Sequence, residues 1–146
     1  MKISTKGRYG LRAMVDLAVH LENGDVVTIS SISERQDISK NYLEQVFSPL
    51  RKSGLVIGVK GPQGGYVLGR VPEKITIGEI LRTLEGKLFE IEEQKDDSDN
   101  IIKKCVYNTV WNVLDERINE VVDNITIKDL VEEYKRNKKD FLMYYI

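Results

Sequence analysis

The sequence predicts a mainly α protein with a small β wing, in which a winged helix-turn-helix is followed by a long C-terminal dimerisation helix. Three observations predict it. Two amphipathic stretches, 29–36 and 40–53, flank the three-residue turn Asp37-Ile38-Ser39. A glycine-rich run, Lys60-Gly61-Pro62-Gln63-Gly64-Gly65, then separates two strand-like stretches. Two short helices, a tight turn and a hairpin in that order are the layout of a winged helix. Finally, Tyr107, Trp111, Leu114, Ile118, Val121 and Ile125 recur at alternating spacings of four and three, a narrow seam that calls for one partner helix rather than a broad core.

The elements follow in order. Residues 5–21 carry Leu11, Met14, Val15 and Ala18 at helical spacing, widened by Ala13, Leu17 and Leu21. Asn23-Gly24-Asp25 ends that helix with turn chemistry. Thr28 suits an N-cap for a short helix to Gln36 that buries Ile29 and Ile32. Ser39 is placed to cap a third helix with Leu43, Val46, Phe47 and Leu50 inward. Pro49 lacks a backbone donor and is expected to bend that helix or weaken its last turn. Gly54 closes it, 55–59 is strand-like, the glycine run turns, and 66–68 returns. Thr76-Ile77-Gly78-Glu79 is a capping box for a helix with Ile77, Ile80, Leu81 and Leu84 inward, stopped by Gly86.

Residues 87–101 form an acidic stretch with Glu90, Glu92, Glu93, Asp96, Asp97 and Asp99, expected to be an exposed loop. The seam helix occupies about 102–123, and a helix of about twenty residues spans about 30 Å. Its partner is either a second copy or the protein's own first helix. A short last helix opens at Thr126 and buries Ile127, Leu130, Val131 and Tyr134, followed by a Lys-rich stretch and the apolar tail Phe141 to Ile146. The organisation is therefore a DNA-binding domain at 1–86, an acidic loop at 87–101, and a dimerisation helix, short helix and apolar tail at 102–146.

Composition narrows the function classes. The chain has 146 residues, 41% of them hydrophobic and 31% charged, an ordinary globular composition. No apolar run reaches the ~18 residues of a membrane span. The N-terminus lacks the apolar core of a secretory signal, and one cysteine permits no intrachain disulfide, so a cytoplasmic location is expected. Net charge is −1, but residues 1–70 hold ten Lys/Arg against six Asp/Glu while 71–146 hold twelve against seventeen. A basic half joined to an acidic half suits a head that faces phosphates. No enzyme is expected: His20, the one histidine, has no cysteine or carboxylate partner at ligand or relay spacing, and no phosphate loop is present.

The DNA chemistry would sit on the third helix. A recognition helix needs short polar side chains near its N-terminus, where it enters the major groove. Asn41, Glu44 and Gln45 meet that need, since Asn or Gln bonds adenine in two places and Glu accepts from the cytosine amino group. Lys6, Arg8, Arg51 and Lys52 suit phosphates. Lys60 at the wing suits the minor groove, with Gly64 and Gly65 letting backbone approach closely. Any exposed helix has a polar face, and a glycine-rich hairpin is often only a tight turn; the order and spacing of all these features carry the reading.

Lys6-Gly7-Arg8-Tyr9-Gly10, Tyr42-Leu43-Glu44-Gln45 and Gly61-Pro62-Gln63-Gly64-Gly65-Tyr66, in this register, resemble the Rrf2 family of winged-helix regulators. The resemblance runs from Met1 through Ile127. It implies a cytoplasmic homodimer that binds double-stranded palindromic DNA, usually repressing, with Asn41, Glu44, Gln45 and Lys60 at base-contact positions. The dimer agrees with the interface that the seam spacing itself suggests, on Tyr107, Trp111, Leu114, Ile118 and Val121.

The family includes iron–sulfur sensors and clusterless repressors of cysteine metabolism. Sensors carry three cysteines before the long helix; here Cys105 stands at the third position, Glu93 and Asp99 lie near the other two, and Asn108 replaces a histidine. Some relatives add a carboxylate from the first helix, where this chain has Arg8. One thiolate is poor provision for a cluster that normally takes four ligands, so no cofactor or metal is expected and Cys105 is a candidate redox thiol. The resemblance extends to the closing Tyr144-Tyr145-Ile146 of the cysteine-metabolism repressors. It implies that the tail docks into cysteine synthase, making DNA binding depend on O-acetylserine; the alternative is that 141–146 folds back as satellite core.

Overall fold

A computed structural model describes residues 1–91 and 99–145. The first helix, α1 (Thr5–Leu21), starts at Ser4, whose hydroxyl accepts from the Gly7 N–H. The Glu85 carboxylate also accepts from the N–H groups of Ser4, at 2.9 Å, and Gly7, at 3.1 Å. A carboxylate there meets the orphan donors and positive end of a helix. Gly10 permits the close crossing that results, because a Cβ would stand 2.2 Å from Leu84 Cδ1.

Helix α2 (Ile29–Gln36) is capped by Thr28 and ends at Asp37, which takes a left-handed φ of 55°. Asp tolerates that conformation better than most residues, which makes the abrupt turn into α3 (Lys40–Lys52) possible. Ser39 caps α3 through the Tyr42 N–H, and Leu43, Val46, Phe47 and Leu50 are wholly buried. Contrary to the expected weakening, Pro49 lies within an uninterrupted helix, and Ser53 donates back to the Pro49 carbonyl at 3.0 Å. The ring costs one donor, and the packed inner stripe on either side of it holds the turn.

Strands β1 (Val56–Val59) and β2 (Gly65–Leu68) pair antiparallel, with Val56 opposite Leu68 and Val59 opposite Gly65. Val27, in the link between α1 and α2, exchanges both backbone hydrogen bonds with Tyr66, at 3.0 and 2.7 Å. Gly65 allows this approach, since a Cβ there would meet the Val27 carbonyl oxygen at 2.7 Å. The Phe47 and Tyr66 rings, 4.7 Å apart, seat the hairpin on α3. After a 3-10 turn at Pro72–Lys74, α4 (Ile77–Glu85) opens with both halves of its capping box formed and ends at Gly86. One core joins α1 through α4, with Ile75 and, from the C-terminal end of the chain, Ile127 and Val131.

The seam helix is one rod in three segments: α5 (Ile101–Val106), a π-helical turn (Tyr107–Trp111) and α6 (Asn112–Asp123). The π turn changes the facing of everything beyond it, and the seam divides. Tyr107, Trp111 and Ile118 are half-buried, while Leu114 and Val121 are exposed. Ile118 and Val122 pack against the chain's own core, and α6 lies on α4. Thus α4 rather than α1 supports the rod. Its exposed apolar stripe runs instead through Val106, Val110, Val113, Leu114 and Val121.

The final helix is longer than expected. In place of a short helix and a tail, α7 (Ile127–Tyr145) is continuous. No Gly or Pro interrupts it, and its Lys, Arg, Glu, Leu and Met are strong helix formers. Ile127 and Val131 are buried and Leu130 half-buried, but Tyr134 is 37% exposed rather than buried. Residues 141–145 are exposed, so they do not fold back as satellite core. Ile146, Glu92, Glu93, Asp96 and Asp97 lie outside the described residues.

Candidate nucleic-acid interface

The outer face of α3 forms an open groove. Asn41, Glu44, Gln45 and Ser48 line it together with Lys6 from the start of α1, around a volume of about 690 Å³. Asn41, Glu44 and Gln45 are solvent-exposed, on the side of α3 opposite its buried stripe. Their backbone is held by the Ser39 cap below and by Tyr42, whose ring meets Tyr9 of α1 edge-on at 5.8 Å. The groove thus presents amide and carboxylate groups suited to base edges, beside one ammonium suited to a phosphate. Arg51 and Lys52 are exposed in the last turn of α3.

The wing continues directly from that helix. Lys60 is exposed at the end of β1, beside Gly61 with φ of 112°. The Gly64 N–H closes the turn on the Gly61 carbonyl at 2.9 Å, and a Cβ on Gly64 would strike the Val59 oxygen at 2.3 Å. Gly64 and Gly65 are therefore required by the hairpin's own backbone.

Arg8 leaves this group. Two residues on from Lys6 along α1, it lines a different cavity, with Arg12 and Asp16 of α1, Arg35 and Gln36 of α2, and Leu130 and Tyr134 of α7. Its Nη2 donates to Thr5 Oγ1 at 3.2 Å. Residues two apart on a helix face different ways, and that spacing was the available signal.

Asp16 was also missed. It is the one buried charged residue among those described, on the inner side of α1. Arg35 donates to both of its carboxylate oxygens and Gln36 Nε2 to Oδ2 at 3.0 Å. The hydrogen bond to Asp16 raises the Arg35 pKa, against a smaller opposing effect of burial. A carboxylate on an otherwise apolar helix stripe was the signal. His20, read as lacking a carboxylate partner, is corrected by the same site: its Nδ1 lies 3.6 Å from Asp16 Oδ1 and 2.8 Å from the Asp16 carbonyl. The spacing of four places both on one face of α1.

A second ion pair joins the head to the rod. Arg82 of α4 donates to Asp123 at 2.7 and 2.9 Å and to Asn119 Oδ1 at 2.7 Å. The hydrogen bond raises the Arg82 pKa and lowers that of Asp123. Cys105 is exposed on α5, and Tyr144 and Tyr145 are exposed in the last turn of α7. Among the described residues, no three His, Cys, Asp or Glu side chains gather as a metal site. The one thiol in the chain is three short of the usual four-cysteine ligand set of an iron–sulfur cluster. No described helix is long and apolar enough to cross a membrane.

Comparison with known proteins gives the family. Residues 3–133 match the Rrf2 family, described as an iron-dependent transcriptional regulator. The HTH-type transcriptional regulator IscR of Yersinia pestis is 40% identical over 142 residues, covering 97% of this chain and 83% of the relative. The HTH-type transcriptional regulator CymR of Bacillus subtilis is 40% identical over 146 residues, covering all of both chains. The solved structure of that CymR, the global cysteine regulator of B. subtilis, superposes with a TM-score of 0.79 over 91% of this chain and 98% of its own. That of T. potens IscR, at 43% identity, gives 0.72 over 92% and 88%.

Proposed function

The chain belongs to the Rrf2 family of winged-helix transcriptional regulators, and from that premise we propose that it acts as a homodimeric repressor of cysteine and sulfur-metabolism genes on a palindromic operator. The observation that carries the reading is the shared groove of Asn41, Glu44, Gln45 and Lys6. Gln45, Asn41 and Glu44 read base edges in the major groove. Lys6, Arg51 and Lys52 neutralise phosphates, and Lys60 with the glycine hairpin follows the backbone into the adjacent minor groove.

The exposed stripe Val106, Val110, Val113, Leu114 and Val121 supports the dimer. An apolar row on a rod of this length is covered in water by a like row from a second copy. Two heads related by a two-fold axis then meet two half-sites. Arg82 and Asn119 hold each head at a set angle on its rod.

Two observations favour the clusterless, cysteine-linked branch over the iron–sulfur branch. The correspondence with CymR runs end to end, and a single cysteine leaves a cluster three ligands short. Exposed Tyr144 and Tyr145 support docking of the C-terminal end into cysteine synthase, and removal of residues 145–146 should abolish that binding. The branch is tested by purifying the protein without oxygen and assaying iron and sulfide together with the visible spectrum. A colourless, iron-free protein is expected. A brown protein with stoichiometric iron would install the iron–sulfur reading in its place.

A further inference from the structure

Away from the groove, α1, α2 and α7 enclose a cleft of about 460 Å³. Its walls are Leu11 and Val15 of α1, one turn apart, facing Leu130 and Tyr134 of α7, also one turn apart. Leu11, Val15 and Leu130 are half-buried and Tyr134 is exposed, so the cleft is open to solvent. Protein interiors pack at crystal-like density, and a mostly apolar cleft of this size with a few convergent polar groups has the form of a small-molecule site.

The polar groups sit together and are cationic. Arg8, Arg12 and Arg35 line the cleft with a single carboxylate, Asp16, so two positive charges are in formal excess. Asp16 is taken up by Arg35 and Gln36, and the His20 ring is bonded to the Asp16 carbonyl. Arg12 donates from Nε and Nη2 to the Gln36 side chain and carbonyl, at 3.3 and 2.6 Å. Arg8 gives one bond to Thr5. A guanidinium carries five donors, so both keep N–H groups for a further acceptor. Their planar forks match a carboxylate.

We propose that this cleft binds a small organic carboxylate, its apolar body against Leu11, Val15 and Leu130 and its carboxylate on Arg8 and Arg12. The apolar walls select against a bare inorganic anion, and the guanidinium excess selects against a neutral compound. Arg35 and Gln36 are the last two residues of α2, and α3 begins four residues after Gln36. A carboxylate on the remaining N–H groups of Arg12 shares its guanidinium with the Gln36 carbonyl. On the DNA-binding reading above, occupancy therefore bears on the pose of α3, while binding itself does not depend on that reading.

The test is a titration of the full chain, without DNA and in its native oligomeric state, with hexanoate and phenylacetate. Hexanamide and inorganic phosphate serve as controls, and the Leu and Val methyl resonances report binding. Both acids should shift Leu11, Val15 and Leu130 saturably, and the controls should not. Arg12→Ala should weaken binding about tenfold or more, the worth of one charge-assisted hydrogen bond. Val15→Phe should abolish it by filling the cleft. Failure of both acids to bind at millimolar concentration would overturn the proposal, as would equal binding of hexanamide or phosphate, or indifference to Arg12→Ala. So would exclusion of hexanoate from the assembled protein together with dissociation of Arg12→Ala, because a second copy would then supply the acceptor.

Discussion

Arg35 donates from Nη2 to Asp16 Oδ1 at 2.7 Å and from Nε to Oδ2 at 3.0 Å, tying the end of α2 to the middle of α1. The Asp16 side chain is 1% exposed and that of Arg35 33%. Removing the arginine leaves a buried carboxylate without its cationic partner, held by Gln36, while removing the carboxylate frees an arginine that water can reach. Arg35→Ala should therefore cost about 3 kcal/mol, the low end for breaking a buried pair. Adding Asp16→Asn should recover part of that loss. Urea unfolding of the wild type and both variants checks it.

Gly64→Ala separates wing geometry from fold stability. The new methyl would lie 2.3 Å from the Val59 oxygen and 2.8 Å from the Gly61 oxygen, and backbone cannot step aside as a side chain can. The turn at residues 61–64 projects beyond the strand residues that pack on the core, so the stability loss should be modest, about 1 kcal/mol. DNA affinity should fall about tenfold, or about 1.4 kcal/mol. Thermal unfolding and fluorescence anisotropy on one DNA duplex measure the two effects.

Charge placed on the rod's stripe should break the assembly. Leu114 is 42% exposed in the single chain, so Leu114→Glu leaves the head's core untouched. A glutamate buried against its symmetry mate is unpaired and faces a like charge. Analytical ultracentrifugation should find a dimer for the wild type and a monomer for the variant, with unchanged helix content by circular dichroism.

The Asp123–Arg82 pair predicts a small acid-dependent term. Arg82 holds the Asp123 carboxyl below its ordinary range. A lowered folded-state pKa contributes stability above the unfolded value and loses it as pH falls through the folded one. The carboxylate is 45% exposed, so the contribution at neutral pH is that of a surface pair, about 0.2–1 kcal/mol. The stability gap between wild type and Asp123→Asn should be present at pH 7 and shrink as the pH falls below about 4. Denaturant melts across that range report it.

The head was legible because its signals are local. Ser4, Thr28, Ser39 and Thr76 cap their helices through bonds within four residues, and the glycine run turns where its backbone must. The groove residues followed from helical spacing alone. What was hidden is what depends on tertiary partners or on irregular helix. The π turn at Tyr107–Trp111 leaves no mark in a spacing count, yet it passes Ile118 to α4 and brings Val110 and Val113 to the surface. Arg8 looked like a companion of Lys6 until the fold set it opposite α7. The Lys-rich run after Tyr134 gave no helical signal because its exposed helix has no core to reveal its period.

The central claim is that α3 reads DNA sequence through the face bearing Gln45. The direct measurement is selection of bound duplexes from a random DNA pool by the full-length protein, in parallel with Gln45→Ala and Arg51→Ala. The account predicts a two-fold symmetric motif for the wild type and the same motif with weaker binding for Arg51→Ala. For Gln45→Ala it predicts relaxed preference at one base pair in each half-site, with a loss there of about 1–3 kcal/mol. A wild-type pool without any enriched motif, or an identical motif at undiminished strength from Gln45→Ala, would contradict it.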